Sequence, residues 1–297
     1  MEDRQTLVAV GAATRDIHPD DPRGWRLGGT VAYSSLVAAR LGLRVRALVG
    51  VDDLAATASE LDVLREAGVE VELVRLATAP VFDNQQTPTG RVQLVHSTSD
   101  PLPLAALPAA WRSPNAVLLG PVAGELSEDW SAAFPQATFV AIAAQGLVRA
   151  LAVGKPVKAH ALRRDALLAR ADAIAISAED IIGGAPLVRE LLRPHQELLV
   201  THGARGALHI QFDGKRLSSR YMPPLPPRAA VDTTGAGDTF LAAWLATRLL
   251  VGGPDWRALA VAAAMASLSV ERQSIHDTPT LADLCQVLVR LRDRHLG

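Results

Sequence analysis

Short apolar runs alternate with longer helix-like runs along most of the chain, and that rhythm limits the folds open to it. The pattern predicts strands over residues 7–10, 44–49, 69–75, 116–119, 138–142, 173–176, 197–201 and 207–211. It predicts helices over 30–41, 55–67, 163–170, 186–192, 237–250, 255–272 and 280–295. Strands spaced by helices argue for a mostly parallel sheet covered on both faces. Ala116-Val-Leu-Leu119 and Ala173-Ile-Ala-Ile176 are apolar at every position, the mark of strands buried on both sides. Aromatic residues are only 4% of the chain, so its core has to be aliphatic.

At 297 residues the chain is long enough to bury a sizeable core. Hydrophobic residues make up 49%, which excludes an intrinsically disordered chain. Thirty Lys and Arg against 31 Asp and Glu leave a charge of -1, so the whole-chain basic footprint of a nucleic-acid binder is missing. No apolar stretch reaches the ~18 residues of a membrane span; the longest candidate, 240–251, is cut by Arg248. The run 7–13 is too short and too interrupted by glycine for a signal sequence. One cysteine, Cys285, fits a cytoplasmic protein, and its helical surroundings predict a buried core thiol rather than a nucleophile.

Two segments break the alternation. Residues 80–98 are polar and carry Thr89-Gly90, which predicts a short hairpin. Residues 18–24 contain Asp20-Asp21-Pro22-Arg23-Gly24. Both are placed to form a lid over a site at the carboxyl edge of the sheet. The run Pro223-Pro-Leu-Pro-Pro227 predicts a rigid extended connector.

That connector leads into Val231-Asp-Thr-Thr-Gly-Ala-Gly-Asp-Thr-Phe240, followed by a clear helix. A glycine turn opening a helix aims free N–H groups at one point, and the helix dipole adds positive potential there. Asp238 falls in the first helical turn. Amides that hold a moving phosphoryl group beside a carboxylate that takes a hydroxyl's proton would suit phosphoryl transfer. A helix cap and a tight turn would use the same residues. The run is not a P-loop, because no Gly-Lys-Ser/Thr follows.

The nine residues Asp232-Thr-Thr-Gly-Ala-Gly-Asp-Thr-Phe240 resemble the C-terminal signature of the PfkB carbohydrate kinases, the ribokinase-like family. Gly28-Gly29 with the helix ending Ala39-Arg-Leu-Gly42 resembles its N-terminal signature. Val49-Gly-Val-Asp52, Thr201-His-Gly-Ala-Arg-Gly206 and Asp277-Thr-Pro-Thr280 resemble further segments in the family's order. The resemblance implies a three-layer α/β/α sandwich with a mostly parallel central sheet and a small β lid. It also implies a single kinase domain over 1–297, with lid segments near 14–27 and 80–98.

It implies roles as well. Asp238 would be the catalytic base, with Gly235, Ala236 and Gly237 forming an anion hole through their N–H groups. Asp232 and Thr233 would sit near the nucleotide phosphates, and Thr201, Gly203 and Gly206 would border ATP. For Gly203 and Gly206 the spacing alone favours a hairpin turn between strands. The position of Asp232 helps organise a monovalent cation in many relatives. Asp16, Gly28 and Gly29 would contact the acceptor, joined by Gln145 and Arg149. Asp180 and Glu179 would help hold Mg2+.

Three departures from the family pattern stand out. Tyr33 occupies the position of a sugar-binding Asn, Ser177 that of the Asn in Asn-x-x-Glu, and Ala143 that of the Asp in Asp-x-Asn. The stretch Ala144-Gln-Gly-Leu-Val-Arg149 resembles the inositol-kinase-like branch. The expectation is an ATP-dependent kinase of a small sugar, cyclitol or related polyol, as monomer or homodimer, with no nucleic-acid or membrane partner. The alternatives are a nucleoside kinase of the same fold and a non-catalytic polyol- or nucleotide-binding regulator.

Overall fold

A computed structural model of the chain describes residues 5–87, 90–181, 192–252 and 255–296. Its strands in chain order are β1 (Thr6–Ala12), β2 (Thr14–Ile17), β3 (Trp25–Gly28), β4 (Arg44–Val51), β5 (Glu70–Arg75), β6 (Val81–Thr87) and β7 (Gly90–Ser97). Then follow β8 (Ala116–Leu119), β9 (Phe139–Ala143), β10 (Arg149–Ala150), β11 (Lys158–Ala159), β12 (Ala173–Ser177), β13 (Glu197–Thr201), β14 (Ala207–Phe212) and β15 (Leu217–Met222). The helices are α1 (Thr30–Arg40), α2 (Glu60–Glu66), α3 (Ala166–Arg170), α4 (Ala236–Val251), α5 (Asp255–Ser269) and α6 (Leu281–Leu296).

The central sheet has nine strands in the order β15-β14-β13-β12-β9-β8-β1-β4-β5. All neighbours from β13 to β5 are parallel, and β14 and β15 are added antiparallel at one edge. Alternation along β1 shows why both faces are covered. Leu7 and Ala9 join one apolar cluster with Leu36 of α1 and Trp244 of α4, while Val8 and Val10 join another with Leu119 and Trp130. Helix α4 is buried from Thr239 to Thr247, so its sequence is apolar on nearly every side. No described helix is long and apolar enough to cross a membrane.

A second sheet, in the order β3-β2-β6-β7, makes the lid. Its first hairpin is tied down at two points. Arg15 pairs with Asp52 at 2.8 Å. Arg23 reaches Glu60 at 2.7 and 2.8 Å, and the buried Glu60 also accepts the Leu27 N–H at 3.1 Å. Burial pushes the Glu60 acid up, but the hydrogen bonds from Arg23 and Leu27 outweigh it and hold the group below the usual carboxylate range. Both arginines also lie over the Trp25 ring, with Arg15 at 5.7 Å and Arg23 at 4.6 Å from its centroid.

Several elements differ from the sequence expectation. The run 55–67 divides into a 3-10 turn, Ala55–Thr57, and α2. Asp52 Oδ1 accepts the Ala55 N–H at 2.7 Å and so starts the first piece separately. Helix α3 begins only at Ala166, because Asp165 caps it by accepting the Leu168 N–H. Strand β15 was not expected. It is an exposed edge strand, Leu-Ser-Ser-Arg-Tyr-Met, and lacks the apolar alternation that marks a half-buried strand. Cys285 is exposed, not a core thiol. Leu284 and Val287 take the buried stripe of α6, and a residue one step beyond Leu284 is turned about 100° away from it. The helix expected over 186–192 lies almost wholly outside the described residues.

Candidate active site

The site forms where two helix N-termini meet at the carboxyl edge of the central sheet. The chain enters α4 through Gly235, whose φ of 74° is left-handed. A side chain there would be strained, and its Cβ would fall 2.5 Å from the Tyr33 ring. The turn before it is set by Asp232, whose carboxylate accepts the Thr234 N–H at 2.8 Å. The three amides expected to bind an anion are not equivalent. The Ala236 N–H makes a long 3.3 Å turn bond to the Thr233 carbonyl. Those of Gly235 and Gly237 have no main-chain acceptor among the described residues.

Asp238 follows at once. Its Oδ1 accepts a hydrogen bond from the Thr30 hydroxyl at 2.7 Å. Thr30 opens α1, directly after Gly28 and Gly29. Burial pushes the Asp238 acid up to about 6, and the Thr30 bond and the positive charge of Arg149 only partly oppose this. Ser34 donates to the Asp238 carbonyl at 3.4 Å.

A cleft of about 560 Å³ opens beside this carboxylate. Asp16 of β2 lines it and accepts the Thr14 hydroxyl at 2.9 Å. Gly28 makes room for Asp16, since a Cβ on it would lie 2.5 Å from the carboxylate. Gly29, Thr201 and Thr233 also line the cleft. Arg149, which also lines the cleft, donates to Gln93 of lid strand β7 at 2.9 Å and pairs with Asp180 at 3.4 Å. It therefore joins the lid to the end of β12. Gln145 lines the cleft as well.

The structure thus gathers Asp16, Gly29, Gln145, Arg149, Glu179, Asp180, Thr201, Thr233, Gly235, Gly237 and Asp238 around one space. Gly28, Gly203, Gly206, Asp232 and Ala236 are not among its lining. Gly203 begins a 3-10 turn and Gly206 ends it, between antiparallel β13 and β14. That is the hairpin turn their spacing favoured. Sequence reading missed Thr30 as a partner of Asp238, although it sits next to the Gly-Gly pair. It also missed Gln93, which only the fold brings to the cleft.

Among the described residues no three metal-binding side chains come together. Glu179 and Asp180 nevertheless supply hard oxygen donors on the cleft wall. Mg2+ commonly takes one or two carboxylates, with waters and substrate phosphates filling its shell, so this pair fits it.

Comparisons with known proteins agree with this geometry. A pyrophosphate-dependent kinase in the ribokinase family, solved with a pyrophosphate analogue and myo-inositol, superposes with a TM-score of 0.74 at 21% identity, covering 91% of this chain and 98% of that one. Arabidopsis thaliana ribokinase, solved with ribose and ATP, gives 0.69 at 18% identity over 96% and 99%. The fold is therefore that of the ribokinase-like proteins. Residues 171–281 match the pfkB family carbohydrate kinases. A putative 1-phosphofructokinase of Mycoplasma pneumoniae is 40% identical over 80 residues, 27% of this chain and 25% of its own length. The match thus spans a quarter of that relative.

Proposed function

We propose that the chain transfers the terminal phosphoryl group of ATP to a hydroxyl of a small sugar, cyclitol or related polyol. One observation carries this reading: a carboxylate with a pKa of about 6 stands in the cleft, beside a glycine turn, at a helix N-terminus. A hydroxyl attacks well only if its proton has somewhere to go. A base of this strength is ionised at neutral pH and holds the transferred proton better than an ordinary carboxylate. Asp16 accepts hydrogen bonds from the acceptor's other hydroxyls and orients the one that reacts. The Gly235 and Gly237 N–H groups, at the positive end of α4, stabilise charge on the moving group.

Glu179 and Asp180 would hold Mg2+, which neutralises donor phosphate charge when bound. The lid sheet closes over the acceptor and keeps water from competing. The whole of 1–297 acts as one such domain, with 14–27 and 80–98 as its lid segments. A non-catalytic binder would have no use for a base of shifted pKa.

Pyrophosphate is the second donor to consider. Gly203 and Gly206, read from the sequence as nucleotide contacts, do not line the cleft, and one structural neighbour is pyrophosphate-dependent. The test offers the wild-type protein ATP or pyrophosphate together with ribose, fructose, myo-inositol or a nucleoside. Product is followed by phosphorus NMR. A new phosphomonoester with a polyol is expected, and the productive donor decides between the two readings. Binding of polyol and donor without any phosphomonoester would mark the chain as a binder.

A further inference from the structure

Three residues of α1 touch the start of α4, and their spacing puts them on one face. Thr30, Tyr33 and Ser34 stand at i, i+3 and i+4. Thr30 holds the Asp238 carboxylate, and Ser34 reaches the Asp238 carbonyl. Between them the Tyr33 ring fills the space a side chain at position 235 would need. Its Cδ1, Cε1 and Cγ lie 2.5, 2.7 and 2.7 Å from that Cβ position. The ring is 8% exposed and lines the cleft. It therefore packs directly against the left-handed turn at Gly235.

We infer that Tyr33 is a positioning residue for the anion-binding turn: its ring, packed against Gly235, holds the Gly235 backbone in the conformation that presents free N–H groups to a donor phosphate. The inference depends on the phosphotransferase reading for its ligand but not for its contact. Packing does the work, so the ring matters and the hydroxyl does not. Burial and the neighbouring Asp16, Asp232 and Asp238 charges raise the phenol's pKa and keep it neutral, so it adds no charge of its own.

Two measurements test this. The first is calorimetric binding of pyrophosphate and of ATP to Tyr33→Phe, Tyr33→Leu and Tyr33→Ala. The Phe variant should bind like wild type. The Leu and Ala variants should bind at least about tenfold more weakly, the effect of losing one hydrogen bond to a charged group. Equal weakening in the Phe variant, or unchanged binding in the Ala and Leu variants, would overturn the proposal.

The second is a double-mutant cycle in thermal stability between Tyr33→Ala and Gly235→Ala. If ring and turn are in contact, Tyr33→Ala lowers the melting temperature less in the Gly235→Ala background than in wild type, because it also removes the clash. Additive effects would sink the contact. Strong coupling in a wild-type protein that binds neither anion would keep the contact and discard the phosphotransferase reading instead.

Discussion

Asp238→Asn should lower kcat/KM by at least ~10²-fold, the smaller end of what a positioned general base contributes. Donor and polyol binding should remain, because the amide is nearly isosteric and its oxygen still accepts the Thr30 hydroxyl at the 2.7 Å site. The same variant should be more stable than wild type at pH 8. Burial raises the folded acid from 3.8 to about 6, so the native state holds its proton to higher pH than the unfolded chain. Stability from this group is complete below the unfolded value and is lost as pH rises through about 6. Allowing for partial exposure to the cleft, Asn should recover on the order of 1–2 kcal/mol at pH 8 and nothing near pH 4. Denaturant melts at the two pH values measure this. A variant that turned over normally, or that was destabilised at pH 8, would remove Asp238 from the role.

The second large effect is on folding. Glu125 is fully buried, and its carboxylate accepts the N–H groups of Ala12, Val122 and Ala123 at 2.8–3.2 Å. Burial pushes its acid up, and these main-chain donors pull the other way. Ala12 ends β1, and Val122 lines the cleft, so one side chain ties the end of β1 to the loop after β8 beside the site. Glu125→Ala leaves two buried donors and one half-buried donor without this acceptor and should cost roughly 3–5 kcal/mol. Glu125→Gln keeps an acceptor oxygen and should cost clearly less. Equilibrium unfolding decides the matter, and a loss under about 1 kcal/mol for Ala would show that the three amides find other partners.

Much of this was legible in the chain. The run 116–119 is a strand at those residues, because a strand buried on both faces has to be apolar throughout. The Gly-Ala-Gly-Asp turn announced its helix, because only a glycine enters α4 at a φ of 74° without strain. What escaped notice were features that depend on distance along the chain. Thr30 and Asp238 are 208 residues apart, Glu125 and Ala12 113 apart, and Arg149 and Gln93 56 apart. No local pattern encodes such a pair. Strand β15 was missed because an exposed edge strand has no apolar period, and Cys285 was placed inside because position on a helix was not resolved to one face. The pair Gly203 and Gly206 taught the reverse lesson. Their spacing alone favoured the hairpin turn that they form, and the motif match added a ligand role that the turn itself does not decide.

The measurement that tests the central claim most directly is the pH dependence of kcat/KM for the polyol acceptor, which reports ionisations of the free enzyme. With Asp238 as the base, the value should fall tenfold per pH unit below about 6 and stay level above it. The Asn variant should lack that limb. A wild-type profile that is flat from pH 5 to 8, or that declines as pH rises through 6, would contradict the assignment.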